Sequence, residues 1–163
     1  MIEPQFYDPL LDMSGTVIGF YPRAFDAFNN FAAFQVTWKG VRWPTAEHAY
    51  QAAHFFDVAP ELVEQIRNAG SPEEAFAIAN AHADREQADW ADKKLQCMYD
   101  ICRAKLEQHP FIQEKLRQTG DVPIVEDSPV DSFWGWGPHH DGRNELGKIW
   151  MRLRDELRPA AKM

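Results

Sequence analysis

The chain has 163 residues, of which 45% are hydrophobic and 13% aromatic, and its formal net charge at pH 7 is −8. This composition is typical of a globular domain and excludes an intrinsically disordered chain. The negative charge argues against a long groove for a nucleic-acid backbone, because such grooves are strongly basic.

The first part of the chain predicts strands and irregular segments. Residues 1–15 have weak periodicity and are expected to form an irregular arm. The β-branched and aromatic run 16–21 predicts a strand, and 26–34 has no clear period, which indicates an ordered loop. Residues 35–43 alternate around Lys39-Gly40, a pattern that predicts a β-hairpin with these two residues as its turn.

Helical periodicity dominates the rest of the chain. Thr45 is placed to cap a helix whose apolar face carries Ala49 and Phe56, and Ser71 is placed to cap another. The pattern predicts an α+β fold, mostly helical with a small antiparallel sheet, in one compact domain over 16–160. The remaining predicted elements are helices over 61–70, 90–108, 111–118 and 145–157, a strand over 122–126 and a loop over 127–147.

Targeting signals and cysteine spacing bear on the compartment. No apolar run approaches the roughly 20 residues that a membrane-spanning helix requires, and residues 1–15 lack the basic segment and apolar core of a signal peptide. Cys97 and Cys102 are five residues apart in a helical pattern, so they point in different directions and do not predict a disulfide. We therefore expect a cytoplasmic protein that does not bind membranes.

The helix after Thr45 carries the first candidate site. The stretch WPTAEHAYQ, residues 43–51, places Glu47 in the first helical turn, and Gln51 and His54 follow it by four and seven residues on the same face. The helix dipole alone favours an acid there, so a solvated, capping carboxylate is one interpretation. The other is an acid/base residue at a ligand site, a role that requires burial of Glu47.

The longest predicted helix holds an anomalous lysine. Lys105 follows Met98 by seven residues and Ile101 by four, so it projects from the apolar stripe of that helix. One interpretation is that Lys105 lays its stem along the core and keeps its ammonium in water. The other is a desolvated amine that acts as a nucleophile or neutralises an anion.

The predicted loop 127–147 concentrates ligand-type residues. Its glycines allow close backbone approach to phosphate or ribose, and its tryptophans offer flat surfaces for a base. An ordered aromatic surface loop is the alternative. No P-loop, GxGxxG, HExxH or CxxC pattern is present, so neither a common nucleotide motif nor a metal site is predicted.

Three motifs in order carry a resemblance to a known family. They are WPTAEH at 43–48, DSFWGWG at 131–137 and NELG at 144–147, and the run DWADKKLQCMYDICRAKLEQHP lies between the first two at 89–110. With these motifs, the sequence over roughly 18–158 resembles the NADAR family of YbiA-like N-glycosidases. The resemblance implies a mainly helical α+β fold that needs no metal or other cofactor.

The resemblance also implies site residues. Glu47, Lys105 and Asp131 are the implied catalytic residues. In an N-glycosidase reaction the acid protonates the departing base or activates water, and Lys105 attacks the sugar carbon or holds a charge. Asp131 would stabilise positive charge or orient the ribose. The implied substrate-binding residues are Asn30, Phe31, Trp90, Trp134, Gly135, Gly137 and Asn144.

The substrate remains open between members of the family. The preferred substrate is ADP-ribosylated guanine, as a nucleoside or in nucleic acid, with a cognate ADP-ribosylating toxin as a candidate partner. The alternatives are phosphorylated ribosylamino-pyrimidine intermediates of riboflavin synthesis, and a module that binds NAD or ADP-ribose without cleaving it. Pro138-His139-His140 departs from the family's usual Gly and Asp there. The basic residues that are candidates for a diphosphate are Arg143, Lys148, Arg152, Arg154, Arg158 and Lys162.

Overall fold

The computed structural model describes residues 6–7, 17–19 and 25–159. Within these ranges the chain forms six α-helices, two single-turn 3-10 helices (Asp26–Phe28 and Ala83–Arg85) and five short strands, which confirms the α+β class. None of these helices is long and apolar enough to cross a membrane. In chain order the elements are β1 (Phe6–Tyr7), β2 (Val17–Gly19), β3 (Val36–Trp38), β4 (Val41–Trp43), α1 (Ala46–Ala53), α2 (Pro60–Arg67), α3 (Pro72–Ala81), α4 (Trp90–Gln108), α5 (Pro110–Gln118), β5 (Ile124–Val125) and α6 (Glu145–Leu157).

The chain divides into two units. The first contains the described residues up to Asn29 and from His109 onward, and the second spans Asn30–Gln108. The predicted single domain over 16–160 stays a prediction. Of the predicted arm 1–15, the structure describes only β1, which is a strand, and the rest of the arm lies outside the described residues.

The first unit contains a three-stranded sheet in the order β1-β2-β5. Strand β2 pairs antiparallel with β1 and parallel with β5, where Ile18 lies opposite Ile124. The parallel pair was not predicted, because sequence patterns do not reveal which distant strands come together. In the same unit Trp150 of α6 is fully buried, and its indole Nε1 donates to the Phe28 carbonyl at 3.0 Å.

The second unit begins with the predicted hairpin. Strands β3 and β4 pair antiparallel with Val36 opposite Trp43, and Lys39 and Gly40 form the turn with φ of 53° and 74°. Positive φ at both turn residues matches the right-handed twist of the strands, which confirms the prediction.

Helix α1 lies at the centre of the second unit. It packs against α2, α3 and α4, and all eight of its residues are buried. Thr45 caps its start, since the Thr45 hydroxyl accepts from the His48 backbone N–H at 3.2 Å. Gln87 closes its end by donating from its backbone and side chain to the carbonyls of His54 and Ala53 at 2.8 and 2.7 Å. A helix this enclosed carries its polar side chains into the interior.

His48, the neighbour of Glu47, has a structural role. It is 1% exposed. Its ring Nδ1 lies 2.8 Å from the Thr45 hydroxyl, and its Nε2 donates to the Ala69 carbonyl at 3.1 Å. These bonds tie the start of α1 to the segment that follows α2.

Candidate functional site

Glu47 is buried at the start of α1. Glu47 is 5% exposed, and Gln51 donates from Nε2 to Glu47 Oε1 at 2.6 Å. The Glu47 backbone N–H donates to the Asn30 carbonyl at 3.1 Å. The interpretation of Glu47 as a solvated capping acid is therefore wrong, and the burial that an acid/base role requires is present. Burial disfavours the ionised form of a carboxyl group.

Asn30 connects the start of α1 to α4. It is 6% exposed, and its Nδ2 donates to the sulfur of Met98 on α4 at 3.2 Å. Its Oδ1 is buried without a hydrogen-bond partner. Buried polar atoms are nearly always satisfied in folded proteins, so an unpaired acceptor beside a buried acid calls for a functional or structural explanation. This geometry is compatible with the substrate-binding role expected of Asn30.

Lys105 is fully buried on α4. Its exposed fraction is 0%, and its Nζ lies 5.4 Å from the centroid of the Phe34 ring. The interpretation in which its ammonium reaches water is therefore wrong. Lys105 follows Met98 by seven residues on the same helix face, and α4 packs against α1. Desolvation disfavours the ammonium form of such a side chain.

Trp90 lines an aromatic cluster in the second unit. It is 5% exposed, and its ring centroid lies 5.4 Å from that of Tyr50 and 4.3 Å from that of His54. The substrate-binding role expected of Trp90 is compatible with this position. Phe31, also expected to bind substrate, is 37% exposed, so of the predicted residues in this unit it is the one at the surface.

His54 is a site candidate that the sequence analysis placed on the Glu47 face without assigning it a role. Its Nδ1 lies 3.6 Å from Glu86 Oε2, and its buried Nε2 has no hydrogen-bond partner. Burial, and secondarily the nearby charge of Lys94, lower the pKa of His54 from 6.5 to about 4. The signal that was available is its position seven residues after Glu47.

The depressed pKa of His54 predicts a pH-dependent stability. In the unfolded chain His54 takes up a proton near pH 6.5, whereas in the folded protein it does so only near pH 4. The contribution of the neutral His54 ring to the free energy of unfolding is therefore complete above pH 6.5 and is lost as pH falls towards 4. It amounts to at most about 3 kcal/mol. The groups that face the ring are Glu86, Lys94 and Tyr50.

Urea unfolding of the wild type and of His54→Phe at pH 7 and at pH 4.5 measures this contribution. The difference between the two proteins in the free energy of unfolding cancels the titration of the other ionisable groups, which both proteins share. The free energy of unfolding of the variant is expected to fall less between the two pH values. An equal fall of the free energy of unfolding in both proteins would show that burial does not lower the pKa of His54.

In the first unit Asp131 organises its own loop. Its Oδ1 accepts from the backbone N–H of Phe133 at 2.9 Å and of Trp134 at 2.8 Å. Such a side-chain turn is a common structural use of aspartate. The Trp134 carbonyl accepts from the N–H of Leu146, and the Trp134 ring stands edge-on to Phe133 with centroids 4.8 Å apart. Catalysis by Asp131 and binding by Trp134 stay predictions.

The loop glycines are needed by the loop itself. A Cβ on Gly135 would meet the Glu126 carbonyl oxygen at 2.6 Å and the Asp131 carbonyl oxygen at 2.9 Å. Gly137 has φ of 72°, and a Cβ there would lie 2.8 Å from Ser132 Cβ. These glycines were predicted to allow close approach of the backbone to phosphate or ribose. In the structure they allow close approach to neighbouring parts of the chain. Their substrate contacts stay predictions.

Asn144 also has a structural partner on each side of its amide. Its Oδ1 accepts from the Glu126 N–H at 2.9 Å, and its Nδ2 donates to the Ile124 carbonyl at 3.0 Å. Its φ of 52° lies in the left-handed region that asparagine tolerates. Asn144 thus fastens the loop and the start of α6 to β5, and substrate binding by Asn144 stays a prediction.

Trp136 is a core residue that the sequence analysis counted among the ligand-type residues. It is 0% exposed, and its Nε1 donates to Asp127 Oδ1 at 2.7 Å. The His140 ring stacks on it at 4.0 Å between centroids with 14° between planes. In the described ranges no three His, Cys, Asp or Glu side chains are grouped to hold a metal ion.

Replacing Gly135 with alanine is expected to destabilise the protein by about 1–3 kcal/mol, because two backbone oxygens leave no room for a methyl group. Thermal denaturation followed by circular dichroism measures the loss. Gly120→Asn is the matched control, since Gly120 has φ of 57° with nothing within 4 Å of an added Cβ. Equal melting temperatures for Gly135→Ala and the wild type would contradict the packing argument.

Five of the six basic residues near the C terminus lie in the described ranges, and each has a local partner. Arg154 is buried and donates from Nη1 to the Val122 carbonyl at 2.6 Å, and burial lowers the pKa of Arg154. Lys162 lies outside the described residues. The other pairs are Arg143 with Glu145 at 3.0 Å, Lys148 with Glu145 at 3.6 Å, Arg152 with Glu156 at 3.4 Å and Arg158 with Asp121 at 2.7 Å.

The motifs and the fold can be compared with known proteins. A family model described as NADAR domain matches residues 5–158. The chain belongs to the NADAR family. N-glycosidase YbiA of Escherichia coli strain K12 is 37% identical over 147 residues, which cover 89% of this chain and 91% of YbiA. The riboflavin biosynthesis protein VVA0006 of Vibrio vulnificus is 38% identical over 132 residues, which cover 81% of this chain and 35% of that protein.

A solved structure supports the family fold. The NMR structure of E. coli YbiA matches with a TM-score of 0.78 at 36% identity, covering 86% of this chain and 84% of YbiA. The α+β fold expected from the resemblance to the NADAR family is confirmed. Of the NADAR residues expected at the site, Asn30, Phe31, Glu47, Trp90 and Lys105 lie in the second unit, and Asp131, Trp134, Gly135, Gly137 and Asn144 lie in the first.

Proposed function

We propose that this NADAR protein removes ADP-ribose from ADP-ribosylated guanine by hydrolysing the bond between ribosyl C1′ and the base nitrogen. By family and by the N-glycosidase YbiA to which it is similar, the chain is an enzyme, a hydrolase that acts on N-glycosyl compounds. The identity of the base and of the group on the ribose belongs to the proposal.

The observation that carries the proposal is the burial of two ionisable side chains on packed helices. Glu47 is 5% exposed on α1, and Lys105 is 0% exposed on α4. Burying such groups is costly, so they are uncommon in a core that they serve only by packing. Beside Glu47, the open Oδ1 of Asn30 provides an acceptor for a ribose hydroxyl.

In the first route of hydrolysis, Glu47 and one water molecule carry all the proton transfers. Glu47 in its protonated form gives its proton to the leaving nitrogen while the C1′–N bond breaks and its electron pair goes to that nitrogen. Water then bonds to C1′ and gives a proton to the Glu47 carboxylate, which restores the acid. The reaction consumes one water and releases ADP-ribose and unmodified guanine.

Lys105 offers a second route for breaking the same C1′–N bond. As an unprotonated amine its Nζ bonds to C1′ while the base leaves with the Glu47 proton. The Nζ then gives one proton to Glu47, and the C1′–O4′ bond breaks while the remaining Nζ proton passes to O4′, which leaves a Schiff base between C1′ and Nζ. Water adds to C1′ and its two protons pass to Nζ, so that the C1′–Nζ bond breaks, the amine is restored and the released aldehyde closes to ribose. The two routes differ in whether a covalent adduct forms.

The choice of ADP-ribosylated guanine rests on the charge balance and the aromatic cluster. A net charge of −8 suits a single modified base better than a long nucleic-acid groove. Trp90, which packs against Tyr50 and His54, belongs to an aromatic cluster of the kind that suits a purine site. The basic residues near the C terminus stay candidates for the diphosphate, and those in the described ranges also have local partners.

Phosphorylated ribosylamino-pyrimidines of riboflavin synthesis are the second candidate substrate. The observation that favours them is the similarity to VVA0006, a protein named for riboflavin biosynthesis, in which the matched region is 35% of the length. The same residues and the same bond chemistry would serve, because this substrate also joins a ribosyl carbon to a nitrogen.

A paired assay tests the proposal. The protein is incubated with ADP-ribosylated guanosine in one arm and with a ribosylamino-pyrimidine phosphate in the other, and products are separated by chromatography. Release of free ADP-ribose at the higher kcat/KM supports the proposal. Faster release in the pyrimidine arm would replace the proposed substrate, and binding without release in both arms would indicate a non-catalytic module.

A further inference from the structure

We infer that His54 is a substrate-contacting residue whose ring Nε2 accepts a hydrogen bond from a hydroxyl or N–H donor of the N-ribosyl substrate. This inference rests on the proposed function and deepens it, because neither the family motifs nor the proposed chemistry assigns His54 a role. It adds a specificity-determining contact to those expected of Asn30 and Trp90.

The first observation is that a buried nitrogen of His54 has no hydrogen-bond partner. Among the described residues of the second unit, the buried side-chain polar atoms without a partner are His54 Nε2 and Asn30 Oδ1. A buried acceptor of this kind weakens the fold unless something fills it. The first unit holds such atoms as well, so what links His54 Nε2 to a ligand is its position on α1.

The second observation is the position of the ring. His54 follows Glu47 by seven residues and Gln51 by three, which places it on the stripe of α1 that carries the buried acid. Its ring lies 4.3 Å from the Trp90 centroid and 5.1 Å from that of Tyr50, which it meets edge-on at 85°. The open nitrogen therefore belongs to the aromatic cluster expected to hold the base or the ribose.

The third observation is the surrounding charge, which determines what the nitrogen offers. The Glu86 carboxylate lies 3.6 Å from Nδ1 and favours the tautomer with the proton on that atom. Burial and Lys94 disfavour a second proton and lower the pKa of the ring to about 4. The Tyr50 ring meets the His54 ring edge-on and brings no further charge to these two groups. At pH 7 Nε2 therefore presents a lone pair and accepts a hydrogen bond.

Three substitutions separate this contact from a packing role. Glutamine places an amide oxygen near the position of Nε2, asparagine places its amide near Nδ1, and phenylalanine keeps only the ring. If Nε2 is the contact, KM is expected to rise roughly 3- to 10-fold in His54→Asn and His54→Phe, as for one lost neutral hydrogen bond. His54→Gln is expected to recover most of that loss.

A packing role predicts a different order, since phenylalanine would then replace histidine best. Melting temperatures measured alongside KM show whether each variant is folded. KM values that follow the melting temperatures, with His54→Phe nearest the wild type, would overturn the inference.

A binding experiment on the wild-type protein keeps the inference independent of turnover. In protein labelled with ¹⁵N-histidine, His54 Nε2 is expected to resonate as an unprotonated nitrogen and to shift when ADP-ribose is added. If the protein cleaves neither assay substrate, the proposed function fails, and a His54 Nε2 shift with ADP-ribose still supports the contact. No shift at saturating ADP-ribose, or no binding of ADP-ribose, overturns it.

Discussion

Glu47→Gln is expected to lower kcat for the N-glycosidase reaction by roughly 100- to 10,000-fold, the range that one positioned acid/base contributes. Glutamine has nearly the same shape as glutamate and keeps an oxygen that accepts from Gln51, the donor seen at 2.6 Å. It has no proton to give to the leaving base and cannot take one from water. The loss should therefore appear in kcat under saturating substrate.

Glu73→Gln provides the matched control for this substitution. Glu73 also occupies the first turn of a helix, α3, but it is exposed. The same change of charge there is expected to leave kcat unchanged, which separates the effect of a helix-start acid from that of the buried one. Wild-type turnover in folded Glu47→Gln would remove Glu47 from the mechanism.

Lys105→Met is expected to lower kcat by roughly 100- to 1000-fold, which is typical for loss of one catalytic charge or polar group. Methionine fills most of the space of the lysine stem, so the buried position is not left as a cavity. It removes the amine that would attack C1′ or balance a negative charge. Circular dichroism of the variant checks that α4 still forms.

Borohydride trapping shows which of the two roles the amine has. Borohydride added during turnover reduces a Schiff base to a stable amine, so mass spectrometry of the wild type should show an adduct on Lys105 if the covalent route operates. Lys93→Met, an exposed change on the same helix, is expected to retain both turnover and adduct. Full turnover in Lys105→Met would exclude both roles.

Local elements followed from local sequence. The Lys39-Gly40 turn, the Thr45 cap, the Ser71 cap and the long helix α4 all form where the pattern predicted them. Each depends on residues close in the chain, such as a hydroxyl three residues from the N–H that it accepts from. The pairing of β2 with β5 joins residues more than a hundred positions apart, and no local pattern encodes it.

The candidate site divides along the same line. The motifs identified Glu47, Lys105 and Trp90 as residues of interest, and helical spacing placed Lys105 on an apolar stripe. Neither motif nor spacing separated a snorkelling lysine from a buried one. That separation depends on whether neighbouring elements cover the side chain, and the structure shows Lys105 fully covered.

The loop 127–147 shows what composition alone leaves open. Glycine, tryptophan and asparagine are common in ligand sites, but the same residue types also allow tight backbone packing. Gly135 is enclosed by backbone oxygens, Trp136 is buried against His140, and Asn144 holds β5. Sequence alone could not assign these roles, because the atoms they contact come from other parts of the chain.

The family, the class of reaction and most of the helices and turns could be predicted without the structure, because these depend on motifs and on residues within a few positions of one another. The tertiary structure decided which polar groups lose water. It buried Glu47 and Lys105, left Asn30 Oδ1 and His54 Nε2 without partners, and gave His54 a pKa of about 4. Desolvation depends on the packing of distant segments, and it gives an ordinary acid, amine or imidazole the properties that a catalytic site requires.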